Sequence, residues 1–263
     1  TPASTNEIEE RFIQFIQDEK KSYFPNPNTP SDSESLPESK KNEDLNAQDP
    51  TATFGVTKFS DWTEEEFSKL LGIKELPTES RTPVLDLSGV QVVGDWDWRN
   101  HGKLNKIKDQ GSCGSCWAFA ANGVHESTHA ILKGGSIPDL SEQELVDCSW
   151  DYNNQGCNGG WYFWAWNYLL SRNGITQTKD YGYTAKDQAC NAAGKARVSP
   201  ITSYTQIAKN DKSIQAAVTQ RPVAVAVDAS NWSGYKEGIL TVCGNRINHA
   251  VTLIGFNEDE NAW

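Results

Sequence analysis

The residues best suited to covalent chemistry lie between Gln110 and Phe119, in the sequence QGSCGSCWAF. Apolar residues at helical spacing predict that a helix begins at Cys116, which places that thiol at a helix N-terminus. The backbone N–H groups and dipole of a helix N-terminus favour the thiolate, which is the nucleophilic form of cysteine. The Gln110 amide and nearby backbone N–H groups could stabilise an oxyanion at an attacked carbonyl. A redox pair of Cys113 and Cys116 is the alternative interpretation.

A thiol nucleophile also needs a base, and the chain has four histidines. His101 lies in a polar stretch, where a solvated surface role is expected. His249 begins the run HAVTLIG, whose β-branched and apolar residues predict a strand. Its imidazole could face Cys116 across a cleft between a helical lobe and a strand-rich lobe. A structural histidine at the edge of a sheet is the alternative.

The remaining histidines, His125 and His129, lie in the sequence HESTH on the helix that begins at Cys116. Histidines four residues apart share a helix face, and Glu126 could act as a base, as in the zinc-peptidase pattern His-Glu-x-x-His. No third ligand is evident, because Leu132 and Gly135 stand where one subclass has glycine and histidine. We expect no metal or other cofactor, and zinc chemistry through these residues is an alternative function.

The elements of the first third follow from periodicity and capping patterns. A helix is predicted over Glu7–Tyr23, and residues 25–50 are predicted to be a loop or disordered because five prolines stand among polar residues. Residues 54–59 alternate as a short strand does. The capping pattern Thr63-x-x-Glu66 opens a helix that ends near Gly72, and a linker follows.

The rest of the chain divides into helices and then strands. Helices are predicted over 116–132, ending at a Gly-Gly pair, over 141–148 from a second capping box, and over 161–170. From residue 200 onward, β-branched runs at 223–227 and 250–256 predict strands. This order indicates an α+β fold with a helical lobe and a strand-rich lobe.

Composition limits the partners. Residues 1–90 carry 18 of the 35 acidic and 9 of the 24 basic residues, so the remainder is nearly neutral and offers no basic face for nucleic acid. No apolar run is long enough to span a membrane. The chain has no Met and opens with Thr1, which fits the removal of a leading segment such as a signal peptide.

Taken together, these motifs resemble the papain-like cysteine peptidases, and within them the cathepsin L-like proenzymes. The family signature Cys-Gly-Ser-Cys-Trp and a histidine 133 residues after Cys116 are both present. The resemblance covers roughly residues 53–263. Its further motifs are Asp97-Trp98-Arg99, the run from Leu140 to Cys148, Gly156-Cys157-Asn158-Gly159-Gly160 and Asn248-His249-Ala250-Val251.

The resemblance implies a papain-like two-lobe fold, with a β-barrel-like second lobe, preceded by a helical inhibitory propeptide. It places the propeptide at residues 1–88 and the peptidase domain at residues 89–263. It makes the protein a proenzyme of a thiol endopeptidase, with Cys116 as nucleophile, His249 as general base and Gln110 as oxyanion donor. It also implies disulfides Cys113–Cys157 and Cys148–Cys190, and a substrate groove lined by Asn158, Gly159, Gly160, Trp161, Ala226 and Ala250.

The same resemblance identifies Gly55-x-Thr57-x-Phe59-x-Asp61 as a propeptide motif. The expected partners are peptide or protein substrates and the chain's own propeptide, and the protein is expected to be a monomer, in the lysosome or outside the cell. If acidic propeptide residues form ion pairs with the peptidase, low pH would loosen the inhibition. Asn231 begins a glycosylation sequon, Asn-Trp-Ser.

Two departures from the family bear on completeness. The family orients its histidine with an Asn in an Asn-Ser-Trp stretch, whereas Asn261-Ala262-Trp263 follows too soon and is interpreted as the start of a strand. Cys243 has no expected partner within the chain. Both features indicate a domain whose last strands lie beyond residue 263. A non-catalytic papain-like inhibitor or binding module is therefore a further alternative.

Overall fold

The protein is described by a computed structural model over residues 37–75, 83–92 and 94–263. The predicted helix Glu7–Tyr23 lies outside these residues. The chain forms two compact units. The first contains the described part of residues 1–68 together with Asp228–Asn245, and the second contains Lys69–Val227 together with Arg246–Trp263.

The described residues contain six α-helices and eight short strands. The helices are α1 (Pro37–Gln48), α2 (Glu64–Ser68), α3 (Cys116–Lys133), α4 (Glu142–Cys148), α5 (Tyr162–Arg172) and α6 (Asp211–Gln220), with short 3-10 turns at Trp98–His101, Trp150–Tyr152 and Gly156–Asn158. The strands are β1 (Ala52–Phe54), β2 (Val84–Leu85), β3 (Trp96–Asp97), β4 (Gln206–Ile207), β5 (Val223–Val227), β6 (Tyr235–Gly238), β7 (His249–Leu253) and β8 (Gly255–Phe256).

The first unit contains a helix where the sequence predicted a loop. Helix α1 occupies Pro37–Gln48, so the prediction for residues 25–50 is wrong in its second half. Pro37 stands at the first helical position, where its missing N–H costs nothing, and good helix formers follow it. The helix is polar along most of its length, and its buried side chains include Asn42 and Leu45. Tertiary contacts of a few residues therefore stabilise it.

A two-stranded sheet holds the first unit together. Strand β1 pairs antiparallel with β6, and a bulge lies between Thr53 and Phe54. The predicted strand over 54–59 thus overlaps β1 only at Phe54. Asn46 accepts a hydrogen bond from the Phe54 backbone N–H at 2.8 Å and donates one to the Phe54 carbonyl at 2.8 Å. A small apolar core is formed by Leu45, Ala52 and Phe54, with Leu240 and Val242 packed against it.

Asp49 is the main polar contact between the N-terminal segment and residues of the later chain in this unit. Its carboxylate is fully buried and accepts hydrogen bonds from the backbone N–H groups of Thr241 (2.7 Å) and Val242 (3.0 Å). The hydroxyls of Thr51 and Thr241 also donate to it, each at 2.8 Å. Hydrogen bonds that favour the ionised form lower the pKa of Asp49 well below its usual range, against the opposing effect of burial.

The second unit has a helical part with its own core. Helices α3, α4 and α5 form where they were predicted, and Ser141 caps α4 by accepting from the Glu144 N–H at 3.0 Å. These helices surround Trp117, which is fully buried. The core residues around it include Leu140, Leu145, Val146, Ala165, Tyr168, Leu169 and Ile175.

The strand-rich part of the second unit is built from pairs of strands. Strand β5 pairs antiparallel with β7 along five residues, from Val223 opposite Leu253 to Val227 opposite His249. Strands β3 and β8 pair antiparallel, and β2 and β4 pair parallel. The strands of the described residues form two-stranded sheets, so a closed barrel is not present among them. Helix α3 packs against β7, which brings the start of the helix and His249 into one region.

Helix α6 was not predicted, because the region after residue 200 was assigned to strands alone. The helix has a clear signal at Asn210, whose side chain accepts from the Ser213 N–H at 2.9 Å. Near the end of the sequence, Asn257 and Ala262 pair as an isolated bridge around a turn.

None of the helices in the described residues has the length and apolar character needed to cross a membrane.

Candidate active site

Cys116 is the first residue of α3 and is 1% exposed. The preceding residue, Ser115, occupies the capping position but makes no side-chain hydrogen bond to the helix. The first-turn N–H groups of Cys116 and Trp117 are instead directed at the sulfur. The thiol therefore lies where the sequence predicted it, at the positive end of the helix dipole.

The side-chain amide of Gln110 lies beside the residues that precede Cys116. It donates one hydrogen bond to the Cys113 carbonyl at 2.8 Å and another to the Leu70 carbonyl at 3.0 Å. A donor held in this way is directed at a carbonyl oxygen of another part of the chain. An amide that binds a backbone carbonyl here is also able to bind the carbonyl oxygen of another peptide.

Residues 70–74, here called the covering segment, run past Cys116 within the second unit. The Gly72 carbonyl accepts from the Gly160 N–H at 2.8 Å, and the Ile73 N–H donates to the Asn248 carbonyl at 3.1 Å. The Lys74 carbonyl accepts from the Trp161 indole at 2.9 Å. Together with the Leu70 contact, these bonds hold an extended backbone across the thiol in the manner of a bound peptide.

Glycine at position 72 permits the close approach of this segment. A Cβ atom on Gly72 would lie 1.9 Å from the Gly114 carbonyl oxygen, a distance that no side chain tolerates. The segment therefore passes directly over the loop that leads into α3.

The side chain of Ile73 packs into an apolar site next to the thiol. The buried residues of this site are Cys116, Ala120 and Ala250, and Tyr162 and Ala224 pack against them. Small side chains leave the room that the isoleucine fills. The site could equally accept an apolar side chain of another peptide.

Burial controls the protonation of the two candidate catalytic groups. It raises the pKa of the Cys116 thiol above its ordinary value, although backbone hydrogen bonds, first from Ala250 and Gly72, act in the opposite direction. It lowers the pKa of His249 to about 4. Both groups are therefore neutral at moderate pH while the covering segment is in place.

The profile of the papain family cysteine proteases matches residues 92–263. The chain belongs to this family.

Individual relatives agree with that assignment. Fruit bromelain of Ananas comosus is 37% identical over 214 residues, which is 79% of this chain and 60% of bromelain. Cathepsin L 2 of Paramecium tetraurelia is 38% identical over 215 residues, which is 81% of this chain and 67% of the relative. The matched region thus spans about three fifths to two thirds of the length of these relatives.

Solved structures share the fold. A recombinant stem bromelain precursor matches 97% of this chain and 84% of its own, with 31% identity and a TM-score of 0.81. Procathepsin L2 from the larval midgut of Tenebrio molitor matches 95% of this chain and 86% of its own, with 28% identity and a TM-score of 0.81. The α+β, papain-like fold that the sequence predicted is confirmed.

The residues that the family resemblance places in a substrate groove differ in how they meet the covering segment. Gly160 and Trp161 bind its backbone, Ala250 borders Ile73, and Gly159 adopts a positive φ of 111° with its Cα against the Gly72 carbonyl. Asn158 is exposed, and Ala226 pairs with Ala250 across the sheet.

Three further residues that meet the covering segment or its apolar site were not named from the sequence. The Asn248 carbonyl binds the covering segment, and Ala224 and Tyr162 line the apolar site. Ala224 could have been found, because strand alternation places it on the same face as Ala226, which was named. Tyr162 follows Trp161 directly, but sequence alone does not tell which of two adjacent aromatic side chains faces the groove.

The disulfides are those that the family resemblance implied. Cys113 is bonded to Cys157, and Cys148 to Cys190. The first bridge ties the loop before Cys116 to the turn that leads to Gly160. The two free cysteines of the described residues are Cys116, which is buried, and Cys243, which is exposed. A redox pair of Cys113 and Cys116 is thereby ruled out in this state.

The side chains of the zinc-peptidase pattern on α3 form hydrogen bonds with other protein groups. Glu126 accepts from Lys108 Nζ at 2.8 Å and from the Leu140 N–H at 2.8 Å. His125 and His129 each lie 2.8 Å from the Ser199 hydroxyl. No group of three or more metal-ligating side chains occurs in the part of the chain that the structure describes. The zinc alternative gains no support.

Proposed function

We propose that the protein is the proenzyme of a cysteine endopeptidase that hydrolyses peptide bonds. The observation that carries this proposal is the covering segment, which binds as a peptide across the N-terminus of α3 and directs the Leu70 carbonyl at the Gln110 amide. Membership of the papain family supports the same reaction.

In the proposed mechanism, His249 takes the proton of the Cys116 thiol and the sulfur attacks the substrate carbonyl carbon. The negative charge on the carbonyl oxygen is stabilised by the Gln110 amide and a backbone N–H at the start of α3. Collapse of this intermediate breaks the C–N bond, and the imidazolium returns its proton to the leaving amine. Water, activated by His249, then hydrolyses the thioester and regenerates the thiol.

The substrate is proposed to bind through the groups that now bind the covering segment. The Gly160 N–H and the Asn248 carbonyl would pair with its backbone, and the site that holds Ile73 would accept an apolar side chain. The groove would comprise Asn158, Gly159, Gly160, Trp161, Ala226 and Ala250.

The propeptide, proposed as residues 1–88, would inhibit the enzyme in two ways. The covering segment occupies the substrate groups. Ile73 also packs beside the Cys116 thiol, and burial keeps that thiol neutral, so the reactive thiolate is disfavoured until the segment leaves.

We further propose a monomer that works in a lysosome or outside the cell, since two disulfides are typical of oxidising compartments. Asn231 remains a candidate for glycosylation. Its side-chain amide lies 3.4 Å from the Val242 carbonyl and is half-buried, so a glycan would have to be attached before this unit folds.

The test is active-site labelling with a peptidyl epoxide, followed by mass spectrometry. We expect Cys116 to be labelled after the propeptide has been removed, and the label to be lost in a His249→Ala variant. Cys243 provides the matched control, because it is a free and exposed thiol. A Cys243→Ser variant should label as well as the wild type. Equal labelling of both cysteines, or labelling that a zinc chelator abolishes, would contradict the proposal.

A further inference from the structure

Tyr183 connects the two stretches of chain that supply the proposed oxyanion donors. Its hydroxyl donates to the backbone carbonyl of Gln110 at 2.7 Å. The Ser115 hydroxyl lies 2.6 Å from the same oxygen atom of Tyr183. A tyrosine hydroxyl has one proton, and that proton is used on Gln110, so Ser115 must be the donor in the second bond.

The bond to Tyr183 explains why the Ser115 side chain does not cap the helix. A serine at a capping position normally accepts a hydrogen bond from an N–H group in the first helical turn. Ser115 makes no such bond, although it is fully buried. With its hydroxyl turned to Tyr183, Ser115 leaves the Trp117 N–H, the second of the helix, available to the sulfur.

The tyrosine itself is held firmly. Its ring packs edge-to-face on Phe119 of α3, with the ring centroids 5.0 Å apart, and lies against the helical core. Burial raises the pKa of Tyr183 to about 12, so the hydroxyl keeps its proton at any physiological pH. The hydroxyl can therefore donate to the Gln110 carbonyl throughout the physiological pH range.

Resting on the proposed function, we propose that Tyr183 is a positioning residue that fixes the Gln110 amide relative to the backbone N–H of Cys116. The relay runs from the Ser115 hydroxyl through the Tyr183 hydroxyl to the Gln110 carbonyl. Ser115 is bonded directly to Cys116, so each end of the relay is attached to one donor. Two donors that must bind one oxygen atom are sensitive to small changes in their separation.

The test compares inhibitors that do and do not use the oxyanion donors. A peptide aldehyde adds the Cys116 thiol across its carbonyl group and places an oxygen between the donors, whereas iodoacetamide alkylates the sulfur without forming an oxyanion. In processed Tyr183→Phe, aldehyde affinity and kcat should each fall roughly tenfold, less than the ~100-fold or more that loss of a whole donor costs. KM and the rate of alkylation should stay near wild type. Ser115→Ala should change the same quantities in the same direction.

Tyr181→Phe is the matched control. The Tyr181 hydroxyl donates to Asp147 at 2.8 Å and accepts from the Asn191 N–H at 3.0 Å, so its loss loosens the same loop without touching the relay. It should lower stability but keep the ratio of aldehyde affinity to alkylation rate.

An unchanged ratio of aldehyde affinity to alkylation rate in Tyr183→Phe, or an equal change of this ratio in Tyr181→Phe, would overturn the inference about Tyr183. Either result would leave the proposed function standing. A wild-type protein that neither hydrolyses peptides nor binds the aldehyde at Cys116 would overturn the proposed function and the inference with it.

Discussion

The Gln110 amide donates a hydrogen bond to the Leu70 carbonyl at 3.0 Å, so the proposed oxyanion donor already binds a carbonyl group of its own chain. The donor therefore serves inhibition and catalysis through the same contact. Because of this double role, removal of the Gln110 amide should affect both inhibition and catalysis.

Gln110→Ala should lower kcat about 100- to 1,000-fold, the usual cost of losing an oxyanion donor. It should also weaken the hold on the covering segment. Gln110→Glu is the matched variant, because it keeps the shape of the side chain but presents acceptors. Steady-state kinetics of the processed enzyme would measure kcat in both variants. Full activity of Gln110→Glu would show that the amide only fills space.

Gly72→Ala should release the covering segment. The added Cβ would meet the Gly114 carbonyl oxygen, and overpacking of this kind costs about 1–3 kcal/mol, or a factor of about 5–150 in the open population. The rate at which an epoxide labels Cys116 in the unprocessed chain measures that population. Gly89→Ala is the control, since a Cβ there would meet nothing within 4 Å. Equal rates in the two variants would contradict this account of the glycine.

Asp49 should retain its contacts in mild acid. Its pKa lies below that of an ordinary carboxyl group, so the stability it contributes is present above the usual carboxyl range and is lost only as pH falls below that range. Acid near pH 4 to 5 would therefore not open the first unit through this carboxylate, contrary to the acid-loosening hypothesis as applied to Asp49.

The measurement is the thermal midpoint of the unprocessed chain between about pH 7 and pH 4, where an ordinary carboxyl group begins to protonate. Asp49→Asn should lower the midpoint by a few degrees, by a similar amount at each pH. Asp44→Asn, at an exposed position of helix α1, which ends just before Asp49, should behave as wild type. A difference between Asp49→Asn and wild type that vanishes by pH 5 would restore the hypothesis for this residue.

Glu142 should make the second unit more stable in acid. Burial raises its pKa to about 7 from an ordinary 4.5, although Lys108, with its Nζ 2.7 Å away, opposes the shift. Between these values the folded chain holds a proton that the unfolded chain releases, so this group's contribution to the free energy of unfolding decreases as pH rises from 4.5 to 7.

Glu142→Gln should flatten that part of the pH dependence in urea unfolding experiments. Glu258→Gln, at an exposed carboxylate, should keep the wild-type slope. A slope that does not change in Glu142→Gln would mean that the proton is held elsewhere in the cluster.

The sequence predicted most of what local pattern and motif can specify. Helix α3 and strand β5 have strong periodicity, and the signature around Cys116 identified the family. Helix α1 was missed because its polar sequence depends on tertiary contacts of residues such as Asn42 and Asn46. Helix α6 was missed because the region after residue 200 was assigned from its β-branched runs, and the cap at Asn210 was not recognised.

The site was predictable only where a single residue type has one role. Cys116 and Gln110 stand in a motif whose chemistry is specific. The carbonyl of Asn248 acts through the backbone, which every residue has, so its type carries no signal. Tyr183 acts through a hydroxyl whose partners are 68 and 73 residues away in sequence, and only the folded chain brings them together.

The pairing of β1 with β6 bears on how the protein remains folded after processing. Residues 228–245 form a compact unit with the N-terminal segment, which supplies the strand partner, the Asp49 carboxylate and the apolar residues that meet Leu240 and Val242. If processing discards that segment, the mature chain loses contacts that helped its precursor to fold. We then expect the lifetime of the folded mature chain to be set by the height of the barrier to unfolding, because an unfolded mature chain would lack the segment that it needs to refold.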